Sequence, residues 1–216
     1  MIAMGIERYF TEEVRARVAD AVRRAEALTR GEIVTVVVER SDPYPEVRMR
    51  GGLLLAALAT GIVLALRLPF GLSELVLAQV LAGGAGALLS LWDPLERLLA
   101  GPRAMEDAVR ARAVRAFAEQ GLHRTAEGTG VLVFASLFEH RAVVLGDTGI
   151  HAKVGDAGWG RAVAALVTGL HDRDPGRGFV DAVAICGAQL AQHFPSDGAA
   201  RANPNELEDA IRVSRT

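Results

Sequence analysis

The sequence predicts an α/β fold, a sandwich in which a small mixed sheet is flanked by helices and which is interrupted by a two-helix transmembrane hairpin. Three observations predict it. Residues 51–92 form an apolar block, amphipathic patterns with helical spacing lie on both sides of it, and short apolar runs typical of strands accompany those patterns. A chain of 216 residues has room for one domain with such an appendage.

The composition supports a local apolar block in an otherwise ordinary protein. When glycine is counted and tyrosine is left out, apolar residues make up about 60% of the chain, above the usual share of about 45–50%, whereas the charged fraction of 23% is ordinary. This composition excludes intrinsic disorder, and a single cysteine excludes a disulfide scaffold. A net charge of −2 predicts no strong affinity for nucleic acid.

Residues 51–92 are interpreted as a transmembrane hairpin. Pro69-Phe70-Gly71 divides them into two stretches of about 20 residues, the length that spans a bilayer. The charged residues of the block, Arg67 and Glu74, lie near this turn, where they either reach the membrane interface or pair with each other. A hairpin buried in a soluble core is the alternative, but helices that are apolar on every side need a larger protein to cover them.

Small residues within the hairpin and basic residues beside it indicate how its helices pack and how it is oriented in the membrane. The Gly-Gly-Ala-Gly stretch at residues 83–86 suits close contact with the first helix, or alternatively with a second copy of the chain. Basic residues are more frequent outside the hairpin than in its turn, where Arg67 stands alone; those outside are Arg40, Arg48, Arg50, Arg97 and Arg103. The positive-inside rule therefore predicts that both termini and the soluble domain are cytoplasmic.

The segments outside the hairpin predict one α/β domain formed from residues 1–48 and 94–195. Thr11 is expected to cap a first helix that ends at Gly31, and residues 33–38 read as a central strand covered on both faces. After the hairpin, a second helix ends at Gly121. Two strands at residues 131–138 and 141–146 are joined so closely that only antiparallel pairing fits.

The end of the chain predicts two further helices and a polar tail. One helix starts near Trp159, and another contains Phe179 and Cys186 and stops at Pro195. Cys186 lies among apolar neighbours and is interpreted as a small buried hydrophobe rather than a nucleophile. Residues 196–216 are predicted to be a mobile polar tail in which residues 205–211 start one short helix.

Familiar catalytic motifs are missing from the sequence. It contains no glycine-rich phosphate loop in a strand-to-helix setting, no HExxH, no CxxC and no GxSxG. The histidines stand singly, so they are interpreted as surface or turn residues rather than metal ligands; they are His123, His140, His151, His171 and His193. The sequence therefore predicts no catalytic constellation and leaves the catalytic residues unassigned.

Asp147 is the candidate metal ligand. It follows the strand at residues 141–146, and its carboxylate beside Thr148 and Gly149 could bind a hard cation through oxygen. The alternative is a plain turn in which Asp147 accepts hydrogen bonds from local backbone N–H groups. Glu32 and Asp156 are weaker partners, and a site shared with Glu32 requires the two strands to be adjacent.

An acidic loop gives a weaker signal. Asp172-Arg173-Asp174 lies between the two last predicted helices, and a solvated loop is the better interpretation of such a charge cluster.

Two segments carry a resemblance to a known family. The first resembles the opening of the TPM domain family, in which a helix, a Thr and a Gly-Glu-Ile precede an apolar strand; the matching residues are Ala25, Glu26, Thr29, Gly31, Glu32 and Ile33. The second resembles the family's strand, hairpin, Asp-x-Gly-Ile turn and tryptophan; it is carried by Thr125, Gly130, Val131, Leu132, Asp147, Gly149, Ile150 and Trp159. The resemblance covers nearly all residues outside the hairpin. The hairpin lies between the first strand and the second helix, and this arrangement resembles that of the family's bacterial inner-membrane subgroup.

The resemblance implies a fold and a range of functions. It implies an α/β sandwich in a multi-pass protein of the bacterial inner membrane, related to thylakoid lumen proteins of photosystem II repair. Some family members are described as calcium-binding, and acid phosphatase activity has been suggested; only Asp147 is carried over here as a site residue. The membrane hairpin, combined with a fold that lacks a catalytic constellation, predicts an accessory or binding domain that contacts membrane lipid and another membrane protein and assists assembly or turnover of complexes. The alternative is a metal-assisted phosphatase at Asp147 that uses a divalent cation such as calcium.

Overall fold

A computed structural model describes residues 6–125, 128–196 and 210–214. Within these ranges it shows an α/β fold with eight α-helices and a small mixed sheet of four strands. The chain divides into two compact units: the described residues of 1–41 and 107–216 form the first, and residues 42–106 form the second. The predicted α/β class is confirmed.

The helices and strands are numbered in chain order. The strands are β1 (Glu32–Val38), β2 (Gly130–Ser136), β3 (Arg141–Gly146) and β4 (Arg212–Ser214). The helices are α1 (Glu12–Glu26), α2 (Pro45–Ala65), α3 (Leu72–Leu89), α4 (Asp93–Ala100), α5 (Pro102–Glu119), α6 (Thr148–Gly158), α7 (Gly160–His171) and α8 (Pro175–His193).

The sheet of the first unit has the order β3-β2-β1-β4. β1 is parallel to β2 and to β4, and Glu32 pairs with Gly130 at the start of the two longer parallel strands. β2 and β3 are antiparallel, with Val131 opposite Gly146, which confirms the predicted antiparallel pair. β1 is buried along its whole length and has a neighbour on each side, as predicted for the central strand.

Buried side chains lie on both faces of the sheet, because successive residues of a strand point to opposite sides. On one face, Ile33, Val131 and Val133 belong to a cluster with residues of α1, α7 and α8. On the other face, Leu132 and Phe134 are buried with residues of α5. Because both faces of β2 are buried, residues pointing to either side are apolar, and the strand appears in the sequence as a continuous apolar run.

Local signals set the helix boundaries. The Thr11 side chain accepts a hydrogen bond from the Val14 N–H, and acidic residues occupy the first turn of α1, as predicted. α2 begins six residues before the predicted apolar stretch, because Pro45 is favoured in a first helical turn. Asp174 caps α8 by accepting a hydrogen bond from the Arg177 N–H, so this helix starts ahead of its first apolar residues.

The second unit contains two helices that are long and apolar enough to cross a membrane. The most apolar windows of α2 and α3 have a mean hydropathy of 1.6, and only 17% and 6% of those windows are buried. The helices approach closely at glycines: a Cβ added to Gly51 would lie 2.9 Å from the carbonyl oxygen of Gly86, and one added to Gly52 would lie 2.9 Å from that of Gly83. The Gln79 side-chain amide also donates to Thr60 Oγ1 at 2.9 Å.

The charged residues near the turn of this unit are both exposed. Within the described residues, no ion pair joins Arg67 to Glu74; Glu74 instead accepts a hydrogen bond from the Ser73 hydroxyl at 3.2 Å. The sequence left two interpretations of Arg67 and Glu74 open, namely that they reach the membrane interface or that they pair with each other. Pairing is not observed in the described part of the chain.

Three of the numbered helices and strands are not revealed by the sequence pattern. α4 and α6 are short, and α6 is interrupted at Gly155, where φ is 63°. The predicted polar tail after Phe194 includes β4, a strand of three residues. Such short elements carry too few residues for a periodic pattern to emerge. The short helix predicted at residues 205–211 falls almost entirely outside the described residues.

Candidate functional site

Asp147 lies where β3 ends and β1 and β2 begin. Its N–H donates to the Gly130 carbonyl oxygen at 2.8 Å, which continues the pairing between Gly146 and Val131. Because β3 runs antiparallel to β2, Asp147 is at the amino edge of the parallel strands. Sites in α/β folds usually lie at the carboxyl ends of the parallel strands. Those ends of β1 and β2 are at the opposite edge of the sheet from Asp147.

The carboxylate of Asp147 holds the start of α6. Asp147 Oδ1 accepts a 2.7 Å hydrogen bond from the Thr148 N–H, and the Thr148 hydroxyl lies 3.4 Å away. The Asp147 carbonyl oxygen accepts a hydrogen bond from the His151 N–H at 2.8 Å. These contacts are those of a turn that begins a helix, as in the alternative interpretation. Within the described residues, Asp147 Oδ2 accepts no hydrogen bond.

A second loop packs against this turn. Gly128 has φ +64°, a backbone conformation that favours glycine, and its carbonyl oxygen accepts from the Ile150 N–H at 3.1 Å. A Cβ on Gly128 would lie 3.1 Å from the Gly149 nitrogen and 3.6 Å from Asp147 Oδ2. The two glycines thus allow the two loops to meet beside the carboxylate.

Buried apolar side chains support the turn from below. Ile150 is fully buried and Trp159 is 2% exposed. A Cβ on Gly146 would lie 2.8 Å from Ile150 and 3.3 Å from the Trp159 ring, so the end of β3 rests directly on these side chains. Within the described residues, the indole Nε1 of Trp159 makes no hydrogen bond.

The weaker partners predicted for Asp147 do not complete a site. Glu32 is buried at the start of β1, but β2 lies between β1 and β3, so the required adjacency of the two strands is not met. The Asp156 side chain lies outside the described part of the structure. Among the described residues, no group of three or more His, Cys, Asp or Glu side chains is placed to hold a metal ion. A metal site at Asp147 stays a prediction.

A buried polar cluster occupies the opposite edge of the sheet, at the carboxyl ends of β1 and β2. The Ser41 hydroxyl donates to Ser136 Oγ at 3.0 Å, and Ser136 donates to the Glu139 carboxylate. The Ser41 N–H donates to Glu139 Oε1 at 2.9 Å. All three residues are buried, and these bonds satisfy the carboxylate and tie the end of β1 to the β2–β3 turn.

The sequence pattern does not reveal this cluster, because Glu139 lies in the short connection between two strands. The available signal is the polar residue Ser136 at the end of an otherwise apolar strand. Two histidines predicted to stand singly also meet in this unit: the rings of His140 and His171 are 5.8 Å apart between centroids, in an edge-to-face arrangement.

The remaining sequence candidates have structural roles. Asp172 and Asp174 are exposed beside a cavity of about 160 Å³ between α7 and α8, and Asp174 acts as the cap of α8. Cys186 is fully buried in α8, as predicted, and burial raises the pKa of its thiol to about 12. A thiol with this pKa is protonated at neutral pH and is a poor nucleophile.

Comparison with known proteins identifies one similar fold. Neither a profile of a known protein family nor a curated protein matches the chain. The NMR structure of the BA42 protein from the psychrophilic bacterium Bizionia argentinensis superimposes with a TM-score of 0.60 at 20% sequence identity, over 97% of this chain and 98% of that one. At this identity the comparison shows a shared fold alone.

Proposed function

We propose that this protein is a membrane-anchored accessory domain of TPM type. In this proposal α2 and α3 form a transmembrane hairpin, and the first unit is an α/β sandwich that binds a partner among membrane protein complexes during their assembly or turnover. The observation that carries the proposal is the exposed apolar surface of α2 and α3. Exposed leucines along both helices include Leu58, Leu64, Leu77 and Leu81, each at least 58% exposed.

Lipid is the environment that suits such a surface. Monomeric soluble proteins rarely expose contiguous apolar patches of more than a few hundred Å², whereas hydrocarbon solvates leucine without cost. The close approach of Gly51 to Gly86 agrees with this reading, because helices in lipid associate through small residues and backbone contact. The hydrogen bond from Gln79 to Thr60 satisfies polar side chains that would otherwise meet hydrocarbon.

The proposed orientation places both termini and the first unit in the cytoplasm of a bacterial cell, with the hairpin in the inner membrane. Its support is the excess of arginines outside the hairpin. Reporter fusions test it directly: a cytoplasmic reporter should be active at Thr216, and a periplasmic reporter should be active when inserted at Pro69. A periplasmic signal at Thr216 would overturn the orientation.

The accessory role is supported by the structural contacts that the candidate site residues of the first unit make. Within its described residues, the candidate side chains act as caps, turn contacts and buried hydrogen-bond partners. Crosslinking in native membranes followed by mass spectrometry should recover a reproducible membrane protein. Recovery of lipid alone would contradict the accessory role while leaving the membrane anchor intact.

A metal-assisted phosphatase is the second candidate function. It is favoured by the Oδ2 atom of Asp147, which lies beside Gly128 and accepts no hydrogen bond from the described residues. A carboxylate oxygen of this kind is a ligand that calcium accepts. Purified protein should then hydrolyse a phosphomonoester in the presence of the cation, and Asp147→Asn should abolish this activity. Equal rates in the two proteins would exclude this candidate.

A further inference from the structure

α4 is an amphipathic helix directly after the second candidate span. At about 100° of rotation per residue, Leu95, Leu98 and Leu99 fall within an arc of about 100°. Asp93 and Arg97 lie on the opposite side of the helix. Eight residues make a helix of about 12 Å, which is far too short to cross a bilayer.

One part of this apolar arc contacts α2. Leu95 and Leu99 line a groove of about 200 Å³ together with Leu54, Leu55 and Leu58 of α2. The Arg50 guanidinium donates to the Leu99 carbonyl oxygen at 3.3 Å, which links the end of α4 to the start of α2. The groove is apolar and open, so hydrocarbon fills it more favourably than water does.

The other part of the arc is uncovered. Leu98 is 76% exposed, and Trp92, the residue that precedes α4, is 68% exposed. The last residues of α3, Leu88 and Leu89, are also exposed, so the apolar surface continues from α3 through Trp92 onto α4. Tryptophan prefers the boundary between lipid headgroups and hydrocarbon, because its ring is apolar and its N–H is a hydrogen-bond donor.

We propose that α4 is a membrane-interface helix whose partner is the surface of the lipid bilayer. Trp92 and Leu98 enter the boundary between headgroups and acyl chains to a depth of about 5–10 Å. This inference rests on the proposed membrane hairpin. It adds a second mode of attachment, which fixes the level at which the chain leaves the bilayer.

Tryptophan quenching tests the proposal in the full-length protein. The chain has two tryptophans, and Trp159 is buried in the first unit, so the signal that Trp92→Phe removes belongs to Trp92. The protein is reconstituted in vesicles of phosphatidylcholine and phosphatidylglycerol that carry bromines either close to the headgroup or deep in the acyl chain. Shallow bromines are expected to quench Trp92 several-fold more than deep ones.

A reporter inside the span separates this proposal from the membrane hairpin. Leu81→Trp, made in the Trp92→Phe protein, places a tryptophan at an exposed position in the middle of α3, and deep bromines are expected to quench it more strongly. If this reporter behaves as expected while Trp92 is quenched by aqueous iodide and by neither bromolipid, α4 lies in water and the inference is wrong. If neither tryptophan is quenched by bromolipids, the membrane hairpin itself is wrong.

A matched pair of variants tests the role of Leu98. Leu98→Glu introduces a charge on the face that enters the lipid and is expected to reduce the shallow quenching of Trp92 several-fold. Leu28→Glu changes a leucine that is 64% exposed in the first unit and should leave this quenching unchanged. Equal quenching in the two variants would show that α4 does not insert through Leu98.

Discussion

The backbones of Gly51 and Gly86 are in direct contact, since a Cβ on Gly51 would lie 2.9 Å from the Gly86 carbonyl oxygen. No side chain other than hydrogen fits between α2 and α3 at this point. Gly84, two residues before Gly86, has nothing within 4 Å of its added Cβ. The same helix thus offers a crowded glycine and an open one, which makes the helix contact testable.

Gly86→Ala is expected to destabilise the second unit and Gly84→Ala to leave it unchanged or more stable. Both substitutions gain about 1 kcal/mol of helix propensity, so their difference reports the contact alone. Overpacking against the α2 backbone is expected to cost about 1–3 kcal/mol. Denaturant titration of the protein in detergent measures both variants, and an equal effect of the two substitutions would contradict the observed helix contact.

Asp147→Ala is expected to destabilise the first unit by about 1 kcal/mol, because the Thr148 N–H loses its acceptor. Asp147→Asn keeps an oxygen for this hydrogen bond and removes the charge, so its stability should stay close to that of the wild type. If Asp147 binds calcium, added calcium should raise the melting temperature of the wild type and not that of Asp147→Asn. An equal rise in both proteins would assign the calcium effect to other residues.

Gly128→Ala is expected to be more harmful than Gly121→Ala. Both glycines have positive φ, +64° and +71°, so both substitutions carry a backbone cost of about 1–2 kcal/mol. Only Gly128 has a close neighbour, the Gly149 nitrogen at 3.1 Å from the added Cβ. The extra loss should appear in thermal unfolding, together with NMR shift changes at Thr148 and Gly149. Equal losses without those shift changes would mean that the two loops do not touch.

Cys186 should make the first unit less stable at alkaline pH. Burial raises its pKa from 9.0 to about 12, so between these values the unfolded chain loses the thiol proton and the folded chain keeps it. Below pH 9 the thiol is protonated in both states, and the free energy of unfolding does not change with its ionisation. Above pH 9 the free energy of unfolding falls by about 1.4 kcal/mol per pH unit. Urea titrations from pH 8 to 11 should show this slope as the difference between the wild type and Cys186→Ala; parallel curves would contradict it.

An element is predictable from the sequence when it spans several repeats of its own side-chain period, which is two residues in a strand and 3.6 in a helix. β1 and β3 are predicted nearly to the residue, because apolar β-branched runs between turn residues have few alternatives. α4 and β4 are missed, since eight and three residues are too few to show a period. At the candidate site, the sequence identifies Asp147 and its turn. It does not identify Gly128 as the neighbour of that turn, because the contact depends on where the two loops meet in space.

The sequence by itself determines the elements whose formation depends on local composition: the apolar helices α2 and α3, the buried strands β1 and β2, and the capped helix α1. The tertiary structure decides which strands are neighbours. It places β2 between β1 and β3, so that Glu32 and Asp147 are not on adjacent strands, and it pairs β4 with β1 from the far end of the chain. It also gathers Ser41, Ser136 and Glu139 into one buried cluster. Such contacts join residues that are distant in sequence, and their free energy comes from burial and hydrogen bonds that exist only once the sheet has formed.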